Sequence, residues 1–178
     1  MTMEEFLKEE SSFNESMFLG KVDNIFIKLF TSIMLNKLDE VKHFLSEDVY
    51  NYYNNIVNDL SLQGKRQMYD ELNVKSSKIV SIVKEEDKYV ISVFLEAKYM
   101  NYIIDANTGI CIYGNNERRM EVDYSLKFSK KFNTLNHEMI RRCPNCGNGM
   151  DINDSGICEY CGSTYNYEDF DWILESIK

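Results

Sequence analysis

Four of the five cysteines fall in one stretch, "RRCPNCGNGMDINDSGICEYCG", as two C-x-x-C pairs. Cys143 and Cys146 flank the only proline, and Cys158 and Cys161 flank Glu159 and Tyr160. A glycine follows each pair, Gly147 and Gly162. A C-x-x-C-G turn folds the chain back so that both sulfurs aim at one point, and glycine relieves the crowded backbone beyond it. Two such knuckles can set four thiolates at the corners of a tetrahedron, the geometry zinc takes at about 2.3 Å per sulfur. The eleven residues between the pairs suffice for a hairpin, with "NDSG" as its turn. The spacing, in a reducing compartment, predicts a four-cysteine site for zinc, with iron as the other metal this ligand set accepts. The alternative is a pair of disulfides or a redox dithiol. Four protein ligands leave no position for water or substrate, so such a metal would hold the fold and not react.

The remaining groups of this kind are few. Cys111 stands alone in "ICIYG" and reads as a small buried hydrophobe. His43 and His137 are the only histidines. His43 is expected on the surface of an amphipathic helix. His137 precedes Cys143 and is not needed as a ligand.

The chain that must position these groups has 178 residues and a formal net charge of −9. That length accommodates one ordinary domain plus a small module. The acidity argues against nucleic acid, whose binders draw affinity from phosphate neutralisation, and suits a partner with basic patches. The stretch Arg141–Lys178 alone holds seven acidic and three basic residues, so a metal ribbon here is expected to contact protein. No apolar stretch approaches the ~20 residues of a membrane span. The acidic "MTMEEFLKEESSFNE" does not read as a secretory signal. The expectation is a cytoplasmic protein, where paired cysteines serve metals before disulfides.

Residues 1–16 read as an acidic arm or a short lead-in helix. From Met17 apolar residues recur at three and four positions through Met34, with Lys21, Asp23 and Lys28 on the opposite face. The pattern breaks near Asn36 and resumes to Leu45. Ser46 is a good N-cap for a helix to Leu60, with Glu47 and Asp48 in its first turn. A shorter helix is expected over Gln63–Leu72. After Asn73 the period becomes two: "SKIVSIVK", "KYVISVFLEAKYMNYII", "ICIYG" and "RRMEVDYSLKFSKKF" read as strands, with "KEEDK" a loop and "DANTG" a turn. Helices followed by an antiparallel meander predict α+β, the helices packed on one face of a strongly curved sheet. The expected divisions are an N-terminal arm over 1–16, a helix-and-sheet domain over 17–138, and a zinc ribbon with an aromatic tail over 139–178.

The stretch "NYIIDANTGICIYGN", the later "MEVDYSLKFSKK", the ribbon "CPNCG … GICEYCG" and the tail "DWILESI" together resemble the domain family named after the 44-kilodalton peripheral subunit of the mitochondrial inner-membrane import translocase. The resemblance covers about 90% of the chain. It implies a fold similar to nuclear transport factor two, a cone of helices across a bent antiparallel sheet around an apolar pocket. The family's mitochondrial member is a membrane-peripheral scaffold. The implied role is a non-enzymatic, transport-related binding or scaffold protein whose cone takes a peptide, a partner protein or a lipid-like ligand. Peripheral membrane contact is a further expectation. The same cone hosts isomerases and dehydratases, for which Asp105, Asp123, Tyr102 and Tyr124 would be the candidates. Asp105 reads as a turn residue, Asp123 falls on the wet face of its strand, and the two tyrosines fit core packing. The tail residues Tyr165, Tyr167, Phe170, Trp172, Ile173, Leu174 and Ile177 are too apolar for a free end. They either complete a core or offer a surface for self-association.

Overall fold

The computed structural model describes residues 1–132, 146, 158, 160–162 and 171–178. Three helices precede the sheet: α1 (Met3–Glu9), α2 (Glu15–Leu35) and α3 (Glu47–Leu62), with a 3-10 turn over Leu38–Phe44 between the last two. Each α-helix starts on a side-chain cap. The Thr2 hydroxyl accepts from Glu5 N, Asn14 Oδ1 from Met17 N, and Ser46 Oγ from Val49 N. These caps satisfy amides that a helix start leaves without partners. Asn36 ends α2 in the left-handed region at φ 55°, which is why the apolar periodicity breaks there.

Four strands follow among the described residues: β1 (Lys65–Lys84), β2 (Lys88–Asp105), β3 (Cys111–Lys131) and β4 (Ile173–Ile177). They form one antiparallel sheet in the order β1-β2-β3-β4. The fold is therefore α+β, helices first and then a curved antiparallel sheet. The core sits between α2 and the sheet. On β2, Tyr89, Ile91, Val93, Leu95, Ala97 and Tyr99 alternate into it, the period-two pattern of a strand with one face on the core. Phe18, Val22, Phe26, Leu29, Phe30 and Ile33 of α2 meet them.

The sheet bends because β1 and β3 both bulge at the same level of β2. Asp70 pairs with Met100 and Asn73 with Lys98, so Glu71 and Leu72 stand opposite Tyr99 alone and β1 carries one extra residue. Asn101 pairs with Asn115 and Tyr99 with Met120, so Asn116–Arg119 stand opposite Met100 alone and β3 carries three extra residues. Bulges of this kind bend a strand and increase its twist. The Arg119 guanidinium lies 3.4 Å from the Glu71 carboxylate and links the two excursions. Just below, Gly114 has φ 89°, with the Asn101 carbonyl and the Tyr102 backbone where a side chain would stand.

Three expectations are corrected and one open alternative is decided. The helix expected over Gln63–Leu72 is the start of β1, whose bulge at Glu71–Leu72 interrupts the two-residue period. "ICIYG" and "RRMEVDYSLKFSKKF" are one strand, β3, carrying the Asn116–Arg119 excursion. Of the two readings of residues 1–16, the lead-in helix holds, since Phe6 of α1 is fully buried against Phe13, Tyr89 and Trp172. The end of the tail, expected with the ribbon, supplies β4 to the main sheet. Trp172, Ile173 and Leu174 are buried, Ser46 N donates to Leu174 O, and Lys178 exchanges backbone hydrogen bonds with Ser125. Trp172, Ile173 and Leu174 thus complete a core. Tyr165, Tyr167 and Phe170 lie outside the described residues.

Candidate functional site

Cys146, Cys158 and Cys161 converge, although they are separated along the chain. Their sulfurs all lie within 4.8 Å of one another, and Cys146 and Cys158 are 3.8 Å apart. Cys158 is 1% exposed, whereas Cys146 and Cys161 face solvent. Gly162, at φ 70°, donates its N–H to the Cys158 carbonyl at 2.9 Å and folds the chain back just past the second pair. A disulfide needs sulfurs at about 2.05 Å, far shorter than the 3.8 Å between Cys146 and Cys158. Two sulfurs on a tetrahedral zinc stand about 3.8 Å apart when each bond is about 2.3 Å. The three thiols thus have the spacing that can hold a metal ion. Cys143, the fourth expected ligand, lies outside the described residues, as does His137.

The concave face of the sheet is lined by aromatic side chains. Phe30 of α2 meets Tyr69, Tyr99 and Tyr124 at ring-centroid distances of 4.6, 5.9 and 5.7 Å, and Phe26 stacks on it at 4.3 Å. Tyr53 of α3 closes the group at 6.4 Å. The hydroxyls of Tyr99 and Tyr124 hydrogen-bond to each other. Burial pushes the phenols of Tyr53, Tyr69 and Tyr124 well above the usual tyrosine range, so all three stay protonated at neutral pH. Beside this cluster, Ile33, Val57, Leu60, Gln67 and Ala106 help to line a cavity of about 50 Å³. That space suits a few waters, whereas ligand pockets span about 300–1,000 Å³. Where the sequence predicts an open apolar pocket, aromatic rings occupy much of the described bend. The face opens instead at its β3 side. Met120, opposite Tyr99, is 46% exposed, and Tyr113, opposite Ile103, is 75% exposed.

The enzyme candidates do not converge. Asp105 Oδ1 accepts from Asn107 N, Thr108 N and the Thr108 hydroxyl, so the carboxylate shapes the β2–β3 turn. The Thr108 backbone hydrogen bond holds its carboxyl below the usual range. Asp123 is exposed, opposite Glu96. Tyr102 donates to the Asp70 carboxylate at 3.2 Å, whereas Tyr124 belongs to the aromatic cluster.

Two expectations about single residues change. His43 is 2% exposed and not on the surface, because the segment is a 3-10 turn that presents it inward beside Phe44. Cys111 is half-buried and not a core residue, its thiol 3.6 Å from the Tyr113 carbonyl. Sequence reading also placed Lys21 and Asp23 on an open helix face. Lys21 is ion-paired with Asp171, 150 residues away. Asp23 packs toward β1 with one carboxylate oxygen buried and without a hydrogen-bond donor among the described residues. Only the proximity of Asp23 to Val22 and Phe26 in the helix hinted at this.

The family model described as Tim44-like domain matches residues 1–140. No curated protein sequence matches the chain. Among solved structures, the intermembrane space region of chloroplast protein ARC6 aligns over 90% of this chain and 94% of that one, with a TM-score of 0.46 and 8% sequence identity. No helix among the described residues is long and apolar enough to cross a membrane.

Proposed function

The chain belongs to the Tim44-like domain family, and from that premise we propose that it is a non-enzymatic binding or scaffold protein with a transport-related role. The family match over residues 1–140 carries this reading. Its working surface is the open side of the concave face, where Met120 and Tyr113 are exposed beside the aromatic cluster. Exposed apolar side chains beside an aromatic wall suit a peptide or partner protein, whose contact residues are enriched in tyrosine and methionine. The packed bend favours a surface contact over an enclosed lipid-like ligand. An isomerase or dehydratase would need an inward carboxylate within reach of a tyrosine or histidine, and neither Asp105 nor Asp123 supplies one. The net charge of −9 disfavours nucleic acid.

The test is crosslinking of the tagged full chain in its native cells, followed by mass spectrometry. The wild type should recover a stoichiometric protein partner, and a Met120→Asp, Tyr113→Asp variant of unchanged Tm should lose it. Recovery unaffected by these substitutions would remove the concave face from the role.

The metal assignment is part of the same proposal. Cys143, Cys146, Cys158 and Cys161 are its ligands, zinc its first identity and iron its second. Its chemistry would be structural, tying two knuckles together in a reducing, cytoplasmic setting. Elemental analysis should find one equivalent of metal, lost in Cys158→Ser. Less than half an equivalent, with disulfides detected by mass spectrometry, sinks the assignment.

A further inference from the structure

Helix α2 turns one face away from the sheet, and that face is grooved. Ile25 and Phe44, both buried, form its floor, Lys21 and Lys28 its rim, and Met17, 76% exposed, one end. The groove encloses about 360 Å³. Gly20 also lines it, within the helix. A methyl group added at Gly20 would meet nothing within 4 Å among the described residues. No described neighbour requires a glycine there, and alanine would favour the helix. With no side chain, Gly20 lets another backbone approach α2 closely.

The charges select what approaches. Lys28 has no carboxylate partner among the described residues, and its ammonium lies 5.1 Å from the Phe44 ring centre. Two lysines rim this groove on a chain of net charge −9. A second copy laid face to face would oppose lysine with lysine. A carboxylate-bearing partner would meet Lys28 directly and share Lys21 with Asp171.

We propose that the α2 groove docks an acidic amphipathic helix of a partner protein, its backbone crossing α2 at Gly20 and its apolar ridge seated on Ile25 and Phe44. This rests on the protein-binding reading for the class of partner, but it places the contact apart from Met120 and Tyr113.

The experiment uses the isotope-labelled full chain and two synthetic amphipathic peptides about five turns long. They share one Leu/Ala stripe, with polar positions all Glu in one and all Lys in the other. The Glu peptide should shift the amide signals of Gly20, Ile25 and Phe44. Gly20→Leu, in a variant of unchanged Tm, should weaken it by about tenfold or more, and Lys28→Glu should transfer preference to the Lys peptide. Equal binding of both peptides, absence of binding, or indifference to Gly20→Leu would overturn the proposal. So would a dimer, or adsorption to phosphatidylglycerol vesicles, abolished by Gly20→Leu. If partner recovery in cells fails in the Met120→Asp, Tyr113→Asp variant but survives Gly20→Leu, the groove is excluded and the wider reading stands.

Discussion

Asp23 carries an electrostatic penalty that can be measured. Its carboxyl is pushed above the usual range, chiefly by burial and against a hydrogen bond from Ser77. A raised carboxyl pKa means the folded chain binds a proton more readily than the unfolded one. The ionised form therefore weakens the fold at neutral pH, and the penalty fades as pH falls through the folded pKa. Asp23→Asn should raise Tm at pH 7, with the gain shrinking on acidification toward and below the ordinary carboxylate range. A gain independent of pH would show that charge is not the cause. Gly114 tests the backbone. A methyl there would press on the Asn101 carbonyl and lie 2.7 Å from Tyr102 Cα, at φ 89°. Gly114→Ala should cost about 1–3 kcal/mol by chemical denaturation. At this scale the convergence of Cys146, Cys158 and Cys161 was the most legible feature, because the spacing within a pair is a local property of the chain. Asp23 and His43 were not, since their burial depends on β1 and on a 3-10 turn that no helical period describes.

Helix α1 shows what a short element contributes when anchored. Phe6 is fully buried, Glu9 meets Lys84 and Tyr89, and Glu10 lies 3.2 Å from Lys130. Phe6→Ala should cost about 3–5 kcal/mol, whereas Glu9→Gln, at a solvent-screened pair, should move the denaturation midpoint far less. Equal losses in paired denaturation curves would mean that charge and not burial holds the helix. The sequence order of helices and strands made α+β legible, because the apolar period changes cleanly along β2. The start of β1 was hidden, since the Glu71–Leu72 bulge breaks the alternation that marks a strand. The β3 excursion likewise made one strand look like two.

Across the whole molecule, β4 ties the C-terminus to the sheet on the far side of the cysteine segment. Trp172, the only tryptophan, sits among Phe6, Phe13 and Phe18 and reports that docking. A metal cross-link between the cysteine pairs would shorten the loop from β3 to β4, so its removal should loosen β4. Chelation should red-shift Trp172 fluorescence and lower stability by about 1–3 kcal/mol, the scale on which cross-links close loops. Metal loss without either change would detach the cysteine segment from the stability of the sheet. The two bulges beside Met100 also divide the sheet in time. Both ladders of β2 break at that line, leaving Lys65–Asp70, Asn101–Asp105 and Cys111–Asn115 as a unit beyond it. Its amide protons should exchange with solvent together, and faster than those along Lys88–Lys98, so that the bend is also a boundary of cooperative opening.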